Sequence, residues 1–284
     1  MELTAHPTGV IDISPDELRA FQAAHPETQY QLIDVRQPEE YQAEHIPGAR
    51  LLPLGEAEKR VGELLESDAP FKIIYCRSGG RSARAAAFFA QAGVTNVFNL
   101  RGGMLGWNGE RVSDFPKLRA FDEATTVKDV LLQAMNLEKG ADRLYSALRP
   151  VVQGTPAERT VDMLARAEEA HSRALYGALK KLGDEHVIED FEVLSGKMSG
   201  ELLETGHRFE DVVGVAKGAA GRGAQALLEL AVELEYRAYD LYRNLATLSK
   251  DQAVRGTFLH LADEEKKHAR AVLKALGEAA TMVH

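Results

Sequence analysis

The sequence predicts an α/β domain, a mainly parallel sheet with flanking helices, followed by an all-α four-helix bundle. Three observations carry this. The 284 residues suffice for about two average domains, each with its own core. From residue 10 to 110, short runs rich in β-branched and aromatic residues alternate with helical patterns, the order that builds parallel sheets. Beyond that, an apolar helical frame recurs at a fixed offset of 97 residues, carrying Glu138 to Glu235, Glu168 to Glu265 and His171 to His268.

Ser14-Pro15-Asp16-Glu17 starts the first helix, with serine as cap and proline in the first turn. Phe71-Lys72-Ile73-Ile74-Tyr75 is a strand that enters a glycine-containing turn, and a helix of alanines and phenylalanines follows as far as Gly93. The α/β domain is expected over 1–112, a linker with Pro116 and mixed charge over 113–126, and the bundle over 127–284. Thr125 or Thr126 caps a first bundle helix over 127–148, ending before Pro150. A second follows Thr155-Pro156 to about Leu182, where Gly183 stops it; the third and fourth span 222–248 and 250–276. The insert between them, 184–221, is too long for a structureless loop. Its apolar periodicity over 199–217 predicts one or two short helices, punctuated by Gly214, Gly218, Gly221 and Gly223. Such an insert either covers the interior of the bundle or builds a dimer interface.

The strand–turn–helix segment places Cys76 where backbone N–H groups and the positive end of a helix dipole converge. That field stabilises a thiolate, the form that attacks sulfur. Arg77 and Arg81 add positive charge suited to an oxyanion, and Gly79 and Gly80 let the backbone curl. Arg81 stands five positions after Cys76, one short of the Cys-x5-Arg spacing of protein phosphatases, and the smaller loop suits a sulfane sulfur better than a phosphate ester. Together with Leu32-Ile33-Asp34-Val35-Arg36, Glu40-Tyr41, His45-Ile46-Pro47-Gly48-Ala49, Asn99-Leu100-Arg101-Gly102-Gly103 and Trp107, this segment resembles a single rhodanese domain, a sulfurtransferase module. The resemblance implies Cys76 as the persulfide-forming nucleophile and Arg77, Ser78, Gly79, Gly80, Arg81 and Ser82 as the anion cradle. Asp34 and Arg36 are expected to fix the loop. Glu44 departs from the glycine that often precedes the histidine.

The 97-residue repeat puts four carboxylates and two imidazoles on inward helix faces, a donor set for two metal ions. Composition alone yields about one Glu-x-x-His by accident; three occur, Glu168 to His171, Glu204 to His207 and Glu265 to His268. Glu204 to His207 contains Gly206 and has no partner at the offset, so it reads as the accident. The arrangement resembles the ferritin-like superfamily, and within it the rubrerythrin-type di-iron proteins. The resemblance implies Glu138, Glu168, His171, Glu235, Glu265 and His268 as ligands of two iron ions, with manganese or a mixed pair as alternatives. Many rubrerythrins carry a further Glu three residues from the third-helix ligand, where this chain has Val232 and Ala238. Cys76 is the one cysteine, so no four-cysteine rubredoxin module is present and an external electron donor is implied. Tyr145 and Tyr242, repeated at the offset, read as core aromatics with tethered hydroxyls; a hydrogen bond to a ligand carboxylate is the alternative.

A net charge of −9 without a Lys/Arg cluster argues against nucleic-acid or membrane partners. One cysteine excludes an internal disulfide and fits a reducing compartment. The first residues lack the basic start and apolar run of a signal peptide, and the expected location is cytoplasmic. The expected function is sulfur transfer from a thiosulfate-like donor to a thiol or protein acceptor, joined to O2- or H2O2-linked di-iron chemistry, in a homodimer. The alternative is an iron-handling or peroxide-sensing protein whose rhodanese half docks partners or senses persulfide.

Overall fold

A computed structural model describes residues 9–182 and 188–281, which divide into two units, Met1–Phe115 and Pro116–His284. The expectations for the first seven residues, for Gly183 as a helix stop and for the start of the insert at 184 lie outside the described residues.

In the first unit the chain alternates strand and helix: β1 Val10–Ile13, α1 Pro15–Ala24, β2 Tyr30–Asp34, α2 Pro38–Ala43, β3 Arg50–Leu51, α3 Leu54–Leu65, β4 Phe71–Tyr75, α4 Gly80–Gln91, β5 Val97–Leu100 and α5 Gly103–Gly106. All strand pairs are parallel, in the order β1-β5-β4-β2-β3. Every residue of β2 and β5 is buried, as expected of inner strands covered on both faces. Alternation along β4 sends Ile73 and Tyr75 into one core with Phe21, Tyr30 and Phe98, and Ile74 and Cys76 into the other with Ile33, Ala86 and Phe89. Ser14 caps α1 through a capping box with Glu17.

The second unit opens on a 3₁₀ turn, Leu118–Phe121, packed on α6 Val127–Val152. Then follow α7 Glu158–Lys181, α8 Phe191–Lys197, α9 Phe209–Arg222, α10 Ala224–Leu248 and α11 Gln252–Thr281. Helices α6 and α7 pair, α10 and α11 pair, α7 packs on α11, and α9 packs against both α6 and α10. Two expectations are corrected. Helix α6 runs through Pro150 to Val152, because Leu148 and Val152 are buried and that packing outweighs one lost backbone hydrogen bond. The insert holds two helices, but Gly214, Gly218 and Gly221 lie inside α9 instead of punctuating it; Gly223, at φ +122°, makes the break to α10. The insert also covers the interior of the bundle, as shown below. Among the described residues, no helix is long and apolar enough to cross a membrane.

Thr126 and Asp129 close a capping box at the start of α6, with Asp129 N–H donating to Thr126 Oγ1 at 3.1 Å and Thr126 N–H donating to Asp129 Oδ2 at 2.9 Å. Thr126→Ala is expected to lower stability by about 1 kcal/mol, read as a shifted denaturant midpoint at unchanged slope.

Candidate thiolate loop and candidate metal centre

Cys76 follows β4 directly and sits at the carboxyl end of the sheet, where α/β folds place ligands. Its side chain is 1% exposed. The Gly79 N–H donates to Sγ at 3.1 Å, and the Ser82 hydroxyl lies 3.5 Å from it. Burial pushes the thiol up. The Ser82 hydroxyl and the N–H groups of Ser82, Ser78 and Gly79 outweigh burial and hold the thiol below its ordinary value. Ser82 is itself positioned: its hydroxyl oxygen lies 2.6 Å from Asn99 Oδ1, and the Asn99 amide donates to Asp12 Oδ1 at 2.6 Å. The turn after β5 holds the loop from behind. Met104 N–H donates to the Cys76 carbonyl and Leu105 N–H to the Arg77 carbonyl, both at 2.9 Å. At Gly103 a Cβ would lie 2.2 Å from the Cys76 carbonyl oxygen, so only glycine permits this approach.

The cradle residues do not all turn the same way. Arg77, Ser78 and Gly80 are exposed at the mouth, while Gly79 and Ser82 are buried around the sulfur. Arg81 departs from the expected anion-binding role: both terminal nitrogens donate to Glu40, at 2.6 and 2.7 Å, tying α4 to α2. That guanidinium holds the Glu40 carboxyl down at about 2. Asp34 and Arg36 form a buried pair at 2.7 Å, and Arg36 also donates to the Glu44 carbonyl. Sequence reasoning left out Asp12, Asn99 and Glu40 as site residues, because each acts through a neighbour that only the sheet order supplies.

In the second unit the six repeat residues converge. Glu138, Glu168, Glu235 and Glu265 are at most 3% exposed and His171 is 4% exposed. The His171 Nδ1 lies 2.9 Å from Glu265, 3.2 Å from Glu138 and 3.3 Å from Glu168. The His268 Nδ1 lies 3.5 Å from both Glu235 and Glu265. Candidate ligand atoms of Glu138, Glu168, His171 and Glu265 all fall within 4.8 Å of one another, as do those of His171, Glu265 and His268. Glu265 and His171 are common to both groups, so the two sets of candidate donors adjoin. The repeated tyrosines cross between the halves: Tyr145 donates to Glu235, and Tyr242 to Glu138. The hydroxyls thus hydrogen-bond to candidate ligand carboxylates. Burial and the adjacent carboxylate charge keep both phenols protonated.

The charges of this cluster do not balance among themselves. Burial raises Glu168 and, to about 7, Glu235. The surrounding carboxylates overcome burial at the imidazoles, raising His171 and lifting His268 to about 9. Protons are thus held where divalent cations would otherwise balance the carboxylates, and metal uptake must release them. Glu235 Oε2 and His268 Nδ1 are buried and face each other at 3.5 Å, without a well-formed hydrogen bond to either. Orphaned donor atoms in a carboxylate–imidazole set fit a pair of iron or manganese ions. A cavity of about 210 Å³ lined by Asp142, Glu169 and Glu192 reaches Glu138 and Glu168 between α6, α7 and α8.

The unmatched Glu204 nonetheless turns into the interior of the bundle. It is 6% exposed and lies in a cavity of about 10 Å³ with Glu168, Glu235, Glu265 and Tyr145, whereas His207 is exposed. The repeat carries no signal for it, because it belongs to the insert.

Comparison with known proteins agrees with this division. The rhodanese-like domain family matches residues 14–110 and the rubrerythrin family residues 226–282. The uncharacterized protein YqhL of Bacillus subtilis is 42% identical over 80 residues, 28% of this chain and 62% of that protein. A sulfurtransferase of Allochromatium vinosum is 41% identical over 27% of this chain and 69% of its own length. The thiosulfate sulfurtransferase PspE of Escherichia coli is 37% identical over 25% of this chain and 67% of its own length. The chain thus spans about three fifths of YqhL and two thirds of the other two. The chain belongs to the rhodanese-like family, and it joins that domain to a rubrerythrin domain.

Removing the Ser82 hydroxyl takes away the largest group that lowers the Cys76 thiol. In the parent chain the rate of Cys76 alkylation is expected to titrate below the ordinary thiol value of about 8.5. Ser82→Ala is expected to move that midpoint upward, measured as alkylation rate against pH.

Proposed function

We propose that the first unit transfers sulfane sulfur through a Cys76 persulfide and that the second holds a redox-active pair of iron ions. The observation that carries the first part is the thiolate loop, in which backbone N–H groups and Ser82 converge on one buried sulfur. The likeness to a thiosulfate sulfurtransferase supports thiosulfate or a similar anion as donor.

The thiolate attacks the sulfane sulfur of thiosulfate. A new S–S bond forms at Sγ, the donor's S–S bond breaks, and sulfite leaves with the bonding pair. An acceptor thiolate then takes the outer sulfur and returns Cys76 to the thiolate. No general base is needed, since the loop already favours the anion. Arg77, exposed at the mouth, supplies the free cation for donor and leaving sulfite, while Arg81 braces the loop through Glu40.

For the second part, Glu138, Glu168, His171, Glu235, Glu265 and His268 would hold the ions. Bound there, iron supplies one-electron chemistry toward O2 or H2O2. The tyrosine hydroxyls fix the orientation of Glu138 and Glu235 and hold a proton against each carboxylate. Leu144, Leu234 and Ala238 help exclude water from that side, and the acidic cavity gives cations an approach from the other. One cysteine in the chain supports an external protein or small reductant as electron source.

Thiosulfate treatment is expected to add one sulfur, about 32 Da, at Cys76, read by intact-protein mass spectrometry. Cys76→Ser should lose the mass gain and the thiosulfate:cyanide activity while retaining its metal; transfer at the parent rate in Cys76→Ser rules the assignment out. Separately, His268→Ala or Glu168→Ala is expected to release at least one of two ions and to abolish the rise in melting temperature on iron loading. Metal analysis and thermal denaturation of the same samples check this. Full occupancy in both variants would remove the second half of the reading.

A further inference from the structure

Helix α10 offers no carboxylate beside its ligand: Val232 and Ala238 flank Glu235 three residues away on either side. Ala238, together with its repeat partner Ala141, lines the small cavity that Glu204 enters. Glu204 Oε1 is buried and has no hydrogen-bond partner. The charges that act on it most are the carboxylates of Glu138, Glu265 and Glu235. A buried carboxylate among like charges is strongly unfavourable unless a proton or a cation joins it.

The backbone carrying Glu204 is built against α6. Leu202 and Arg208 pair as a short antiparallel bridge, and Gly206 N–H closes the turn on the Leu203 carbonyl. This geometry turns Leu203, Glu204 and Thr205 inward and leaves His207 outside. Gly200 N–H donates to Asn136 Oδ1 at 3.0 Å, and Arg143 donates to the carbonyls of Ser199 and Gly200 at 2.6 and 2.9 Å. The Leu202 carbonyl lies so close to Gly140 that a Cβ there would sit 2.2 Å from its oxygen. At the 97-residue offset, Gly140 becomes Arg237 and Asn136 becomes Glu233. The repeat is broken where the insert docks, two residues either side of the ligand Glu138.

We propose that Glu204 is a seventh protein ligand of the metal pair, delivered by the insert into the space left by Ala141 and Ala238. Gly140, Asn136 and Arg143 are positioning residues for it. The inference rests on the metal-centre reading above. It assigns to this chain a carboxylate that the helices themselves lack.

The test uses the full chain loaded with ferrous iron alone, as parent, Glu204→Gln, Gly140→Ala and His207→Ala. Iron affinity is measured by chelator competition and the iron environment by Mössbauer spectroscopy before and after oxidation. Glu204→Gln is expected to weaken one of two ions by about ten- to a hundredfold and to change the signal of that ion. Its metal-free melting temperature should stay close to the parent's, since the amide replaces a carboxyl of the same shape. Gly140→Ala, which displaces the loop and leaves Glu204 intact, should reproduce the loss, and His207→Ala should match the parent. A parent that binds two ions, with a Glu204→Gln variant identical to it in affinity and spectrum in both oxidation states, overturns the role of Glu204 alone. A parent that takes up no iron overturns the metal-centre reading and this inference with it.

Discussion

Burial of like charge is the constraint on which the second unit turns. Glu138, Glu168 and Glu265 offer candidate ligand atoms within 4.8 Å of one another, Glu235 lies 3.5 Å from His268, and the helices that carry them shield all four from water. Such a cluster holds together only if cations or protons neutralise it. The structure meets this partly with imidazoles, raised far enough to carry protons among the carboxylates, and partly with tyrosine hydroxyls donated from the opposite half of the repeat. Single atoms of Glu235, His268 and Glu204 are left without a well-formed hydrogen bond in the same interior. Metal ions would complete what these groups only begin, and the apolar frame around the helices is arranged to keep water from doing it instead.

The first unit applies the same principle to one anion. A buried thiol would ordinarily stay protonated, yet donors aimed at Sγ reverse the effect of burial. Those donors are held by structure on both sides: the helix start of α4 in front, and the Gly103 turn behind, which binds the Cys76 and Arg77 carbonyls. The Asp12–Asn99–Ser82 chain extends the support across β1 and β5. Charge outside the loop is handled separately. Glu40 occupies Arg81, so the cation left facing solvent is Arg77. The loop therefore stabilises its anion mainly with oriented dipoles, which need not reorganise as sulfur moves.

Helix α6 is the point where symmetry gives way. Its ligand face matches α10 position for position, while its adjoining face carries Asn136, Gly140 and Arg143 where α10 has Glu233, Arg237 and Asp240. The first set receives a loop through a backbone contact that only glycine allows. A duplicated bundle thereby acquires one unduplicated wall.

Much of this was legible in the sequence. The alternation of strands and helices, the Ser14 and Thr126 caps, the Cys76 turn and the six repeat residues all follow from local spacing. Helix periodicity and turn chemistry are short-range properties, and a repeat doubles the signal of every residue it preserves. The burial of Glu204 was not legible, for the converse reason. Its Glu-x-x-His spacing is accidental, its segment is not one helix, and its burial depends on Gly140, which lies 64 residues earlier. The Arg81–Glu40 pair spans 41 residues and the Asn99–Asp12 contact 87, separations at which one sequence carries no pairing information. Composition also placed a helix end before Pro150, where buried Val152 carries the helix past it. The sequence alone determined which residues have the chemistry to form a thiolate loop and a carboxylate–histidine centre. Only the tertiary structure decided which charges are already paired and which carboxylate from outside the repeat is buried, because pairing and burial are fixed by contacts between segments far apart in the chain.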